Sequence, residues 1–341
     1  MKSTFWFILL LLVTGLASLA IGSVSIAPAT ILRLSLDALP GIQADPRWVT
    51  ENATFATILW DLRLPHMLLM LLVGAALGGS GAAYQGLFRN PLADPYLIGV
   101  ASGAGLGAVI AMSINLPFTT IGLMAVPLAA FGLGIGTVWL VYTLARVGKI
   151  TPTTNLILAG VAVSAFTTAL TSLIMLRSQG ELRRALAWLL GGGTLTGWQP
   201  VAACLPYILI GLGLLASLGY RLDVLQFGDE QAEQLGIPVT RVRWLVVAGA
   251  TLATAGAVAF SGIIGFVGLV VPHVFRLLGV ADYRKLLPVS MLGGAILLIL
   301  ADVIARVIIA PQQLPVGVVT AILGAPFFLW VLKRARAQAF W

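Results

Sequence analysis

The stretch from Arg63 to Gly107 reads RLPHMLLMLLVGAALGGSGAAYQGLFRNPLADPYLIGVASGAGLG. In it, a membrane-length apolar segment meets a polar loop that holds Arg89, Asn90, Asp94 and two prolines, and an apolar, glycine-rich segment follows. A helix of about 20 apolar residues crosses the hydrocarbon core of a bilayer. The stretch therefore predicts two membrane helices joined by a short loop of specific chemistry.

Composition extends this prediction to the whole chain. Of 341 residues, 59% are hydrophobic and 9% are charged, whereas a soluble domain carries about 25% charged residues. The formal charge of +8 does not indicate nucleic acid, because the basic residues lie in short loops between apolar runs rather than on one face. The single cysteine, Cys204, excludes an intramolecular disulfide and a cysteine-based metal site.

The apolar runs predict an all-helical integral membrane protein of about ten spans, formed by residues 1–341 as a single domain. The runs are 4–26, 64–88, 97–113, 121–144, 152–176, 201–219, 242–261, 263–278, 286–308 and 317–334. The first run follows Lys2 but is too long for a typical signal peptide, so we expect a retained helix. Basic loops on the side of the N-terminus predict that both termini are cytoplasmic.

Small residues indicate how the spans pack. Gly74, Gly78, Gly81 and Gly86 give the second span a surface for close backbone approach, on which helix association in lipid relies. The segment GAALGGSGA at 74–82 also aligns with GATLATAGA at 249–257, with five identities in nine. The two spans run in opposite directions in the predicted topology, so the match fits an inverted repeat. Shared alanine and glycine content explains it equally well.

Catalytic and nucleotide-binding patterns are missing from the sequence. No G-x-x-x-x-G-K-[ST] phosphate loop occurs, and no Ser/His/Asp or paired-carboxylate constellation is evident. We therefore expect no enzyme activity and no cofactor, which argues against a membrane-embedded enzyme. The two histidines, His66 and His273, lie on opposite sides of the predicted topology, so we expect no metal site.

The polar segment Arg221–Arg243 reads RLDVLQFGDEQAEQLGIPVTRVR and predicts a short helix near 230–235. Asp229 is a suitable N-cap, and Glu230 and Glu233 place negative charge in the first turn. Gly236 suits the left-handed position after the helix, and Pro238 blocks its continuation. A second turn is expected near 238–243. Taken alone, the segment is a solvated helical loop.

Three stretches together resemble the FecCD family of ABC-importer permeases, which carry metal chelates such as iron–siderophores, haem and cobalamin. They are Arg63–Gly107, SGIIGFVGLVVPHVFRLLG at 261–279 and LPVGVVTAILGAPFFLWVLKR at 314–334. The resemblance covers nearly all of residues 60–335. It implies a bacterial or archaeal cytoplasmic membrane, a permease homodimer, two cytoplasmic ATPase subunits and an extracytoplasmic substrate-binding protein.

The resemblance also implies a docking site for the binding protein. Family arginines at positions matching Arg63, in R-L-P, and Arg306, in A-D-V-I-A-R, engage acidic residues of that protein. His66 stands where the family often has a second arginine, and histidine titrates near neutrality, so this contact is expected to be weaker or pH-dependent. Alternatively, Arg63 is an interfacial anchor, Arg306 is the i,i+4 partner of Asp302, and His66 packs as a neutral ring.

Two further roles come from the resemblance. The segment 221–243 would hold the coupling helix that docks into a groove of the ATPase, with Ala232 and Leu235 inserted. The coupling residues are Asp229, Glu230, Ala232, Glu233, Leu235 and Gly236. The translocation path would lie between two copies of the chain, lined by the fifth and tenth spans. The path residues are Asn155, Ser164, Thr167, Thr168, Thr171 and Thr320, although burial against neighbouring helices is the alternative.

An ion-coupled secondary transporter is the rival function. Such proteins bury charged residues near the middle of the membrane for coupling. In this chain only Asp302 approaches that description, and Arg306 answers its charge.

Overall fold

The structure, a computed structural model, describes residues 2–38, 46–114, 120–148, 150–177, 182–193 and 195–338. Within these residues, six helices are long and apolar enough to cross a membrane: Ala53–Phe88, Gly122–Ala145, Thr153–Arg177, Trp198–Ser217, Val239–Ser261 and Tyr283–Val307. Four shorter helices are also apolar: Trp6–Ala20, Val100–Ser113, Val267–Leu277 and Val316–Val331. Each predicted run overlaps one of these helices. The number of crossings and the side of the termini stay predictions.

The α-helices are numbered in chain order. They are α1 (Lys2–Ala20), α2 (Pro28–Asp37), α3 (Pro46–Glu51), α4 (Ala53–Thr57), α5 (Leu64–Phe88), α6 (Val100–Ser113), α7 (Thr120–Ala145), α8 (Thr153–Arg177), α9 (Leu182–Leu189), α10 (Trp198–Ser217), α11 (Gly219–Leu225), α12 (Asp229–Gln234), α13 (Val239–Ser261), α14 (Val267–Leu277), α15 (Tyr283–Val307) and α16 (Val316–Gln338). A π-helical turn, Ile58–Arg63, and a 3₁₀ turn, Pro95–Ile98, complete the helical elements of the described residues.

The largest differences from the sequence prediction precede residue 64. Helix α1 ends at Ala20 rather than at residue 26, and α2, α3 and α4 lie where no helix was predicted. Helix α4 continues through the π turn into α5. Pro65 lies in the first turn of α5 and has no N–H to donate, and the wider π turn before it accommodates the lost hydrogen bond.

Helix α5 lies at the centre of the molecule, packed against α10, α13, α14 and α15. At Gly74 and Gly78 the backbone of α15 comes so close that an added Cβ would overlap carbonyl oxygens of that helix. Gly81 meets α14 in the same way, and Gly86 lies against the ring of Tyr283. The predicted close backbone approach is therefore confirmed at Gly74, Gly78 and Gly81, whereas Gly86 meets a side chain.

Two groups of four helices, α5–α8 and α13–α16, make equivalent contacts. Helix α5 packs on α15, and its counterpart α13 packs on α7. Helix α6 packs on α7 and α8, as α14 packs on α15 and α16. This reciprocity is expected when two repeats are related by a pseudo-two-fold axis, so it supports the repeat rather than shared composition.

The breaks between helices also meet. The 3₁₀ turn before α6 brings Tyr96 to the non-helical segment between α13 and α14. The Tyr96 hydroxyl donates to the carbonyl oxygen of Ile264 at 2.9 Å and accepts from the Ile264 N–H at 3.2 Å. Ile264 is fully buried. Irregular backbone is tolerated inside a membrane protein only where such partners satisfy it, so this contact stabilises both interruptions.

Candidate functional site

A buried carboxylate lies at the centre of the first candidate site. Asp302 of α15 has no exposed surface. The Nε2 atom of His66 lies 2.8 Å from Asp302 Oδ1, and Arg306 Nε lies 2.9 Å from Asp302 Oδ2. A buried charge is costly without partners, so both side chains stabilise Asp302. We call Arg63, His66, Asp302 and Arg306 the Asp302 cluster.

The two arginines of this cluster cap the end of α1. Arg63 is 8% exposed and donates to the carbonyl oxygens of Leu19 at 2.6 Å, Ala20 at 3.2 Å and Val24. Arg306 donates to the hydroxyl of Ser18 at 2.7 Å and to its carbonyl oxygen. The last carbonyls of a helix have no partner within it and carry partial negative charge. The arginines therefore stabilise the C-terminus of α1.

Three members of the cluster, Arg63, His66 and Arg306, also line a cavity of about 390 Å³, together with Thr196 and Gln313. A second cavity, of about 360 Å³, shares His66, Thr196 and Gln313 with it and extends along the glycines at 191–193. The three residues predicted to dock the binding protein are thus brought together. All three line the first cavity rather than a flat surface.

The second candidate site is α12, where the predicted short helix is confirmed. Asp229 is the first helical residue rather than the N-cap, because Gly228, with φ +109°, takes the cap position. Gly236 has φ +80°, as predicted. Its N–H donates to Glu233 O at 2.9 Å, and the N–H of Ile237 donates to Ala232 O at 2.9 Å. These two bonds form a Schellman motif, which ends the helix sharply.

Three charged residues fix α12 to the membrane helices. Arg243 of α13 is buried and donates to Asp229 Oδ2 at 3.0 Å and to the carbonyl oxygen of Thr151 at 2.7 Å. Arg89, which caps α5 in a left-handed conformation, places its guanidinium 3.5 Å from Asp229 Oδ1. We call Arg89, Asp229 and Arg243 the Asp229 clamp. It connects α12 with the end of α5, the segment before α8 and the first turn of α13.

The outer surface of α12 consists of other residues. Leu235 is 66% exposed, whereas Ala232 has no exposed surface. Glu230 and Glu233 are exposed. Of the two apolar residues expected to insert into an ATPase, only Leu235 is available to a partner, and Ala232 packs inside the chain.

The six predicted path residues differ in exposure. Thr167, Thr171 and Thr320 are buried, Asn155 and Ser164 are half-buried, and Thr168 is exposed. The three buried hydroxyls donate to carbonyl oxygens one turn earlier in their own helices. Burial within the chain, the alternative to lining the path, therefore holds for three of the six residues. In the apolar stretch of α8 only 22% of the residues are buried, so most of the surface of this helix is open to a partner or to lipid.

The predicted i,i+4 pairing of Arg306 with Asp302 is confirmed. The pairing of His66 with Asp302, and the two pairings of Asp229 in the Asp229 clamp, were missed at the level of sequence. His66 and Asp302 are 236 positions apart, so no local pattern joins them. The sequence indicated only that Asp302 needs partners, because a lone carboxylate in an apolar span is costly to bury.

Comparison with known proteins supplies the wider context. The model of the FecCD transport family matches residues 10–334. The cobalamin import system permease protein BtuC of Halobacterium salinarum is 44% identical, over 84% of this chain and 76% of its own length. The hemin transport system permease protein HmuU of Yersinia pestis is 38% identical, over 97% of this chain and 95% of its own. A solved ABC transporter, described as of metal-chelate type and inward-facing, is 32% identical and has a TM-score of 0.81, covering 97% of this chain and 98% of its own.

Proposed function

Because the chain belongs to the FecCD transport family and is a permease subunit of an ABC importer in the cell membrane, we propose that it imports a metal chelate. Iron–siderophore, haem and cobalamin are the candidate substrates. The names of two relatives, which concern cobalamin and hemin, support this class. Because the chain belongs to an ABC permease family, we do not retain the ion-coupled secondary transporter as its function.

The proposed complex contains two copies of the chain, two cytoplasmic ATPase subunits and an extracytoplasmic substrate-binding protein. ATP hydrolysis takes place on the ATPase subunits. The largely open surface of α8 supports a path between two copies, with Thr168 on the exposed side of that helix.

Coupling to the ATPase is assigned to α12, and one observation carries this assignment. The segment exposes Leu235 and two glutamates, while Asp229 anchors it to Arg89 at the end of α5 and to Arg243 of α13. A short helix fixed in this way moves as a unit with α5 and α13. A displacement of Leu235 by the ATPase is therefore transmitted to α5 and α13, because the loop does not bend.

Leu235→Asp tests this assignment. A carboxylate in an apolar contact with the ATPase is costly, so substrate uptake by proteoliposomes containing the full complex should fall by about tenfold or more, as each 1.4 kcal/mol of lost contact corresponds to a factor of ten. Thermal stability of the permease should not change, because Leu235 is exposed.

Leu278→Asp is the matched control, since Leu278 is 67% exposed and lies at the end of α14, outside α12. Uptake should be retained in this variant. Normal uptake by the Leu235→Asp complex, or an equal loss in both variants, would remove α12 from the coupling contact.

Docking of the binding protein is assigned to Arg63, His66 and Arg306. All three line the cavity at the end of α1, which supports a common docking site. In this proposal the acidic residues of the binding protein enter the cavity and compete with the carbonyl oxygens of α1 for the guanidinium groups.

A further inference from the structure

An apolar groove runs between α7 and α13, apart from both candidate sites. It has a volume of about 330 Å³. Its lining includes Val138, Trp139 and Tyr142 of α7, and Trp244, Ala248 and Leu252 of α13. Trp139 is 69% exposed and Trp244 is 53% exposed. Both helices are long and apolar enough to cross a membrane, so the groove opens towards the bilayer.

The groove continues into a basic cavity of about 550 Å³. This cavity lies where α7 ends and α13 begins, beside α12. Tyr142 and Trp244 line both spaces. Arg146 and Arg241 line only the basic cavity, and both are exposed. Glu233 of α12 is the acidic residue of the same lining, so its formal charge remains positive.

Helical spacing aligns the apolar and basic parts. On α7 and the residue that follows it, Trp139, Tyr142 and Arg146 recur at intervals of three and four residues, which places them on one face. On α13, Arg241 and Trp244 follow the same spacing. Going towards α12, each wall therefore changes from aliphatic to aromatic and then to cationic.

This order matches the cross-section of a membrane leaflet. Aliphatic side chains face acyl chains, tryptophan and tyrosine prefer the level of the headgroups, and arginine lies beyond them. Basic pockets between membrane helices on the cytoplasmic side bind the headgroups of anionic lipids. A soluble anion would use the two arginines but would leave the apolar groove empty.

We propose that the groove between α7 and α13 binds one anionic phospholipid of the leaflet on the α12 side. The lipid phosphate lies between Arg146 and Arg241, and an acyl chain lies along Ala248 and Leu252. The rings of Tyr142 and Trp244 pack at the glycerol level. This site borders α12 at Glu233, but the proposal rests neither on the substrate nor on the coupling role of α12.

Retention of lipid by the purified chain tests the proposal. The full-length permease is reconstituted in vesicles of equal phosphatidylglycerol and phosphatidylcholine with identical acyl chains. It is then purified in mild detergent, and the bound lipids are quantified by mass spectrometry. Wild-type protein should retain phosphatidylglycerol in excess. In the double variant Arg146→Gln/Arg241→Gln this excess should fall by about thirtyfold, since each basic residue near a lipid surface contributes about 1 kcal/mol and each 1.4 kcal/mol corresponds to a factor of ten.

The double variant Arg221→Gln/Lys285→Gln is the matched control. It removes the same charge from two exposed residues in α11 and α15, outside the cavity. The control should keep the wild-type preference. No excess of phosphatidylglycerol in wild-type protein, or an equal loss in both double variants, would overturn the proposal.

A second pair of variants tests the apolar part of the site. Ala248→Phe fills the groove and keeps both arginines, so retention of phosphatidylglycerol should fall. Ala202→Phe, at an exposed position of α10, should have no effect. Unchanged retention by Ala248→Phe, with glycerol phosphate displacing the bound lipid, would show that the arginines bind a soluble anion and would overturn the proposal. Thermal unfolding of each variant checks that it is folded.

Discussion

The Asp302 cluster and the Asp229 clamp are built from the same residue types, but they present different surfaces to a partner. In the Asp302 cluster the side chains of Arg63, His66 and Arg306 line an accessible cavity, and the two arginines also hold the end of α1. In the Asp229 clamp the buried Arg243 faces inward, and the exposed surface of α12 is formed by Leu235 and two glutamates. The comparison separates charge that only anchors an element from charge that also lines an accessible cavity.

The same contrast explains why arginine alone is a poor guide to a docking surface. Arg63 and Arg243 are both buried, and both donate to backbone carbonyl oxygens far away in the chain. Each therefore has a structural role, whatever else it does. Experiments that separate stability from association are needed at both sites.

The largest effect is expected at Asp302. Asp302→Ala leaves His66 and Arg306 without their shared carboxylate, and removing one partner of a buried pair costs about 3–5 kcal/mol. The free energy of unfolding, measured by SDS titration in mixed micelles, should fall by this amount. Asp61→Ala, at an exposed position, is the control and should have little effect. Equal values for the two variants would show that Asp302 does not hold its cluster together.

A smaller loss is expected in the Asp229 clamp, and it should differ between the two arginines. Arg243→Gln removes hydrogen bonds to Thr151 and Asp229, so we expect a loss of about 2 kcal/mol. Arg89→Gln breaks a pair whose side chains are 41% and 45% exposed, which should cost less than about 1 kcal/mol. The same titration compares them. A larger loss of stability in Arg89→Gln than in Arg243→Gln would show that the exposed pair of Arg89 and Asp229 contributes most to the clamp.

The next effect concerns association with the binding protein. Arg63→Glu would face acidic residues with like charge, so the dissociation constant should rise by about tenfold and more than in Arg63→Ala. Raising the salt concentration should weaken binding by wild-type protein and reduce the difference between the variants. Arg33→Glu, at an exposed position in α2, is the control. Wild-type affinity in both Arg63 variants would leave Arg63 with only its role at the end of α1.

The last prediction is a pH dependence of stability in the loop after α5. Burial raises the pKa of Asp94 from 3.8 to about 6, although its carboxylate accepts the Tyr96 N–H. The folded state therefore binds the proton more tightly than the unfolded state, and stability falls as pH rises from about 4 to about 6. Asp94→Asn keeps an acceptor for Tyr96 and should flatten this part of the profile. An identical slope in wild type and Asp94→Asn would assign it to other groups.

The sequence predicted the features of α12 that depend on neighbouring residues, but not those that depend on packing. Gly236 and Pro238 determine where the helix ends, because a left-handed residue and a missing N–H act within a few residues. The cap was assigned to Asp229, but Gly228 takes it, since Asp229 is drawn to Arg243. Of the two apolar residues expected to insert into a partner, Ala232 is buried and Leu235 is exposed, and their spacing in the sequence does not predict this difference.

The sequence by itself determined the membrane character of the chain, the positions of its apolar helices and its resemblance to a permease family. Each depends on local composition or on contiguous motifs, and the transfer of about 20 apolar residues into lipid needs no tertiary partner. The close packing of α5 was also visible in its glycines. A helix that is apolar on all sides, such as α5, indicates burial but gives no direction.

Only the tertiary structure decided which charges distant in the chain meet. His66 reaches Asp302, and Arg243 reaches Thr151 and Asp229, across many residues of intervening chain. These contacts depend on the rotation of each helix about its own axis, which is set by close packing with neighbours. In a low-dielectric interior a charge must find a partner, and the fold determines which one is within reach.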